Sequence, residues 1–219
     1  MRVAACGLRI FRRTTLAFFG LAVTLVGVAA QQRNPEEYAG FLENRERVER
    51  MEVSRVVSAL GLQPGQLVVD LGSGSGLFTR ALARSVAPNG TAYAVDIDPA
   101  LLKIVESSAK RSAIKNLTTV LAAPDDPKLP QAVDFIFICD TFHHLPDKPT
   151  YARTLYRYLK PGGRVAVIDF TSDWPGGHDA MRYTPDDLER WMTGAGFARD
   201  QSFDFPKNSF FIIYKKASQ

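Results

Sequence analysis

The nine residues VVDLGSGSG, Val68 to Gly76, restrict the fold more than any other part of this 219-residue chain. The apolar run Leu67-Val68-Val69-Asp70-Leu71 has the composition of a buried strand. Glycines then stand at 72, 74 and 76, where the backbone can turn through conformations closed to other residues and pass close to a neighbour. The LFTRALARSVA that follows places Leu77, Ala81, Leu82 and Val86 along one helical face. Strand, glycine turn and helix N-terminus together predict a small-molecule site at the turn.

The rest of the chain repeats this alternation. Val53, Val56, Val57 and Leu60 mark a helix that ends at Gly61 and the Pro64-Gly65 pair. TAYAVDI (91–97) predicts a second strand, and DPALLKIVESSAKRSA a helix that Asp98 caps ahead of Pro99. NLTTVLA and AVDFIFIC predict strands three and four, Tyr151 to Leu159 a helix, and RVAVIDF strand five. TPDDLERWMTGAGF opens on a Thr184 cap, and ARDQSFDF with SFFIIYKK predicts two strands around a tight turn. The expected fold class is therefore α/β: a Rossmann-like, doubly wound, mostly parallel seven-stranded sheet with an antiparallel last strand.

In such a sheet, ligands sit beyond the carboxyl ends of the strands. A dinucleotide fingerprint requires glycine at the third position of G-x-G-x-x-G, and Leu77 stands there instead. The motif present, Asp-Leu-Gly-Ser-Gly-Ser-Gly, resembles motif I of the class I S-adenosylmethionine-dependent methyltransferases. Asp96 in YAVDIDP, Asp125 in APDDPKLP, VDFIFICDTFHHL and LKPGGRVAVIDF resemble that family's later motifs in order and spacing. The resemblance covers residues 48–219 and is closest to the small-molecule branch, with its quinone-biosynthesis and type 11 methyltransferase domains. It implies S-adenosylmethionine as cofactor, held by Asp70, Gly72, Ser73, Gly74, Gly76, Asp96, Ile97, Asp125 and Asp140. Asp96 would accept from both ribose hydroxyls, and Asp125 (or its neighbour Asp126) would meet the adenine amino group. A carboxylate facing a vicinal diol makes charge-assisted hydrogen bonds, which fits that role for Asp96.

Methyl transfer needs an aligned nucleophile, and a base only where that nucleophile carries a proton. His143 and His144, on the loop after strand four, are the candidate catalytic residues; packing of that loop is the competing reading. His178 lies on the loop after strand five. No metal is expected, because neither Cys nor carboxylate stands at ligand spacing from these histidines. Tyr38 and Phe41 could belong to a lid over the acceptor, within a linker or lid segment at 31–47, and Phe142, Trp174, Tyr183 and Trp191 could line its pocket.

The formal charge is +4, but Arg2, Arg9, Arg12 and Arg13 hold all of the excess. The remaining chain carries 23 basic and 23 acidic residues, so a nucleic-acid partner is not indicated and a small-molecule acceptor is. In residues 1–30 these arginines precede an uncharged apolar run from Thr14 to Ala30. The pattern is that of a signal peptide; a membrane anchor and a mitochondrial presequence are the alternatives. An exported, periplasmic or membrane-anchored enzyme is expected, with membrane association through residues 14–30. The functional expectation is methyl transfer to oxygen, nitrogen or carbon of a small molecule. A non-catalytic S-adenosylmethionine-binding protein and a nicotinamide-dependent oxidoreductase are the alternatives.

Overall fold

Strand order reverses beside β1 (Leu67–Leu71), and this places the site. The computed structural model describes residues 34–171 and 175–217. Residues 1–30, expected to be a targeting segment or membrane anchor, and Trp174 lie outside the described residues. Among the described residues no helix is long and apolar enough to cross a membrane.

β1 is joined in one sheet by β2 (Thr91–Asp96), β3 (Leu117–Leu121), β4 (Val133–Cys139), β5 (Leu159–Phe170), β6 (Phe197–Phe203) and β7 (Ser209–Lys216), in the order β3-β2-β1-β4-β5-β7-β6. β1 to β5 pair in parallel, and β7 is antiparallel to both β5 and β6. The expected sheet, with its antiparallel last strand, is the one that forms. β5 begins at Leu159, earlier than expected, because the Lys160–Gly163 turn is drawn into the strand beside a register shift in β4. The β6 edge is exposed and polar, with a second register shift at Arg199/Gln201; both features discourage pairing with another chain.

Both faces of the sheet are covered, which is why its central strands read as unbroken apolar runs. Along β4, Phe135 and Phe137 pack with Val56, Phe78 and Leu82, whereas Ile136 and Ile138 pack with Tyr151, Leu155 and Met192. The first face is covered by α3 (Val53–Ala59) and α4 (Leu77–Val86), the second by α6 (Lys148–Tyr158) and α7 (Pro185–Gly194). α5 (Pro99–Arg111) contributes Leu102 and Val105 against Ala94 of β2. The starts of α5 and α7 carry the chemistry that the unpaired first turn needs. Asp98 accepts from the Ala100 amide, and Thr184 and Asp187 form a reciprocal capping box.

The segment expected as a linker or lid is helical: α1 (Pro35–Leu42) and α2 (Arg45–Met51). Asn34 accepts from the amides of Glu36 and Glu37, Pro35 opens the helix, and both glutamates stand in its first turn. The Asn-Pro-Glu-Glu stretch is a helix-start signal that its polar composition masks.

Candidate active site

β1 lies between β2 and β4, so the loops leaving β1 and β4 diverge and open a crevice at their carboxyl ends. There the structure holds a cavity of about 1260 Å³. It exceeds the roughly 300–1,000 Å³ of an ordinary small-molecule pocket and leaves room for a cofactor and an acceptor together.

The glycine turn forms one wall. The amides of Gly72 and Ser73 both donate to the Val95 carbonyl, at 2.8 and 3.0 Å, which ties the turn to the end of β2. Gly72 has φ +77°, and a Cβ there would stand 2.3 Å from the Thr141 side chain on the neighbouring loop. Only glycine lets those two loops approach so closely. The turn feeds directly into α4, whose N-terminus is partially positive.

Carboxylates surround this wall. Asp70 is buried, and Thr79 Oγ1 donates to its Oδ2 at 2.5 Å. Burial pushes the Asp70 carboxyl up to about 7, and the hydrogen bond from Thr79 opposes the shift. Asp96, at the end of β2, accepts from the Gly74 amide at 2.9 Å and from the Asp98 amide at 3.0 Å. Burial raises its carboxyl too. Ile97 lines the cavity and is 64 % exposed, an apolar surface suited to a flat ring.

Two of the expected cofactor residues stand differently from the rest. Asp125 is exposed and does not line the cavity; Ala122, Ala123 and Pro124 do. Backbone bonds between Ala123 and Asp126 close a tight turn and leave Asp125 at its tip. Asp126 is engaged by Lys128 and by the Tyr158 hydroxyl. Asp140, by contrast, lies deep in the site with φ +50°, a conformation rare outside glycine and found at functional positions. Its Oδ2 accepts from Arg47 Nη2 at 2.9 Å, while burial raises its carboxyl against the pull of that guanidinium.

Among the described residues, the buried side-chain polar atoms without a hydrogen-bond partner are Ser73 Oγ, Asp140 Oδ1 and Ser209 Oγ. Ser73 and Asp140 line the cavity. Unsatisfied polar atoms at a binding wall are the groups a ligand would complete.

The acceptor end is built from histidines. His143 is buried and its Nδ1 lies 2.8 Å from Asp169 Oδ1; Asp169 also accepts from the His143 amide and the Tyr183 hydroxyl. The His144 ring stands 4.1 Å from that of His143, centre to centre. His178, remote in sequence, sits 5.2 Å from each. The fold thus brings the third histidine, expected on the loop after strand five, against the other two. Residues 34–47 contribute too: Tyr38, Phe41 and Arg47 line the cavity, and Arg80 Nη2 pairs with Glu43 at 2.8 Å.

Arg47 and Asp169 were not among the expected site residues. Nothing around Arg47 distinguishes it from its charged neighbours. Asp169 carries a signal, a carboxylate inside the apolar run RVAVIDF, which demands buried partners.

A parallel sheet with its switch point beside β1, a glycine turn there and a carboxylate ending β2 define a nucleoside-binding α/β domain. Comparison with known proteins specifies which one. The family described as a methyltransferase domain matches residues 69–167. The ubiquinone/menaquinone biosynthesis C-methyltransferase UbiE of Vibrio vulnificus is 32 % identical over 117 residues, 52 % of this chain and 45 % of its own length. An arsenite methyltransferase of Halobacterium salinarum is 29 % identical over 142 residues, 64 % of this chain and 36 % of its own. The chain thus spans about half or less of the length of these relatives. A solved S-adenosylmethionine-dependent methyltransferase of Aquifex aeolicus shares the fold, with TM-score 0.75, 23 % identity and coverage of 84 % of this chain and 99 % of its own. The [4+2]-cyclase SpnF shares it as well, at TM-score 0.63 and 14 % identity over 75 % of this chain and 81 % of its own, so fold alone does not fix a reaction. Domain match, relatives and fold together resemble those of the class I S-adenosylmethionine-dependent methyltransferases that act on small molecules, a likeness that implies S-adenosylmethionine as the cofactor.

Proposed function

We propose that the protein methylates an oxygen, nitrogen or carbon of a small molecule, and that the acceptor atom carries a proton before reaction. The observation behind this reading is the locked His143 ring. A buried carboxylate can only accept from Nδ1–H, so Asp169 fixes the tautomer in which Nε2 keeps its lone pair. His143 lines the cavity, on the loop that follows β4.

S-adenosylmethionine, when bound, supplies a methyl group on a positively charged sulfonium, which makes that carbon electrophilic. The chain's own residues bind, orient and deprotonate. The Gly72–Gly76 turn, Asp96 and Ile97 would hold the nucleoside side. Asp70 and Asp140, which line the same cavity, would meet the cofactor's cationic portion. His143 Nε2 takes the acceptor's proton, Asp169 stabilises the resulting imidazolium, and His144 borders the same space. α1 and α2 cover the cavity and exclude water. Asp125 stands exposed at its turn, next to the cavity-lining Pro124.

The basic-then-apolar pattern of residues 1–30 supports placing this reaction at or beyond a membrane. An acceptor panel of phenols, amines and acidic C–H compounds, read by release of the demethylated cofactor, tests the proposal. Turnover by the wild type, reduced about 10²- to 10⁴-fold in His143→Asn with cofactor affinity retained, is the expected result. Equal turnover by both proteins would remove His143 from the chemistry.

A further inference from the structure

We infer that His143, His144 and His178 form a binding site for one divalent transition-metal ion of the zinc class. One ring nitrogen from each residue lies within 4.8 Å of the other two. Three imidazoles with an open fourth position are a donor set that zinc takes in catalytic sites. An all-nitrogen set selects against magnesium and calcium, which bind oxygen.

The surroundings of two of the rings strengthen the assignment. A metal-ligating histidine is characteristically held by a hydrogen bond from its other nitrogen to a carboxylate or a backbone carbonyl. His143 has the first arrangement, Nδ1 to Asp169 at 2.8 Å. His178 has the second, Nδ1 to the carbonyls of Pro175 and Gly176 at 3.1 and 3.2 Å. A carboxylate or carbonyl oxygen only accepts, so in both rings Nδ1 carries the hydrogen and Nε2 is left to ligate.

The spacing defines what binding requires. Nitrogens bound tetrahedrally at 2.0–2.1 Å stand about 3.4 Å apart, so the rings must close by roughly 1 Å. His143 cannot move far, since it is buried and tied to the core. His144 is exposed and His178 half-buried, on a turn closed by its own amide to the Pro175 carbonyl at 3.2 Å. The approach falls to those two. A metal on His143 Nε2 blocks that nitrogen as a proton acceptor, so metal occupancy and base catalysis by His143 exclude each other. This consequence rests on the functional reading above, whereas the binding itself does not.

The test is zinc binding by the metal-stripped full chain, measured by equilibrium dialysis without S-adenosylmethionine or acceptor. The expected result is one zinc per chain, with affinity weakened at least about tenfold in both His144→Ala and His178→Ala. Melting curves of the metal-free variants verify that both remain folded, because neither removes a core side chain. Failure of the wild type to retain zinc, or unchanged affinity in either variant, would overturn the three-histidine site. Since no methyl transfer is read, either proposal can fail while the other stands.

Discussion

The Arg47 guanidinium reaches across 93 residues of sequence to donate to the Asp140 carboxylate at 2.9 Å. Both side chains are largely buried, at 14 % and 12 % exposure. Arg47 Nη1 also donates to the Leu42 carbonyl at 2.9 Å, so one side chain joins the α1–α2 cover to the loop after β4. Removing one partner of such a pair leaves a buried charge uncompensated, which costs about 3 kcal/mol. Arg47→Met should therefore lower the urea midpoint of unfolding, and Arg47→Met with Asp140→Asn should recover most of the loss. A double variant no more stable than the single one would show that the pair is not the source of the effect.

The close approach of Gly72 to Thr141 makes a separable prediction. Gly72→Ala places a methyl against Thr141 and forces an L-residue to positive φ, together costing about 2–4 kcal/mol. Adding Thr141→Gly removes the collision but not the backbone strain, so about 1 kcal/mol should remain. Denaturant unfolding of the two variants checks the division.

Asp70 predicts a pH dependence whose sign follows from its burial. Its carboxyl rises from an ordinary 3.8 to about 7 in the folded protein. Between those values the folded state binds more protons than the unfolded one, and stability falls as pH increases. The contribution is full below about 4 and lost once pH passes 7. Asp96 and Asp140, also raised by burial, act in the same direction. Unfolding midpoints at pH 5 and pH 8 should differ accordingly, and Asp70→Asn should shrink the difference.

The Asp169 network predicts how the acceptor end responds to substitution. Asp169→Asn replaces the carboxylate that orients His143 and should lower kcat by about 10²-fold or more, with little change in KM. Tyr183→Phe removes one hydrogen bond to the same carboxylate and should cost about 1 kcal/mol of stability. Steady-state kinetics separate the two: a purely structural Asp169 would leave the kcat of the folded fraction unchanged.

Local patterns carried most of the fold. Strand, turn and helix signals lie within ten to fifteen residues of one another, and the glycine turn and the carboxylate ending β2 are local features of that kind. The remainder depends on tertiary approach. Arg47 acquires its role from Asp140, His178 from two rings far away in sequence, and His143 from Asp169 on the adjacent strand. No periodicity encodes such meetings. Asp125 shows the reverse limit: a motif position matched in sequence, which the turn closed between Ala123 and Asp126 leaves at an exposed tip.

The most direct test is calorimetric titration of the full chain with S-adenosylmethionine and, separately, with NAD. Asp96 joins the Gly74 and Asp98 amides to the cofactor wall, so Asp96→Ala should weaken binding about a hundredfold or more. Binding of S-adenosylmethionine that this variant loses, with no heat from NAD, is the expected result. Binding of NAD, or of S-adenosylmethionine undiminished in Asp96→Ala, would contradict the cofactor site described for this protein.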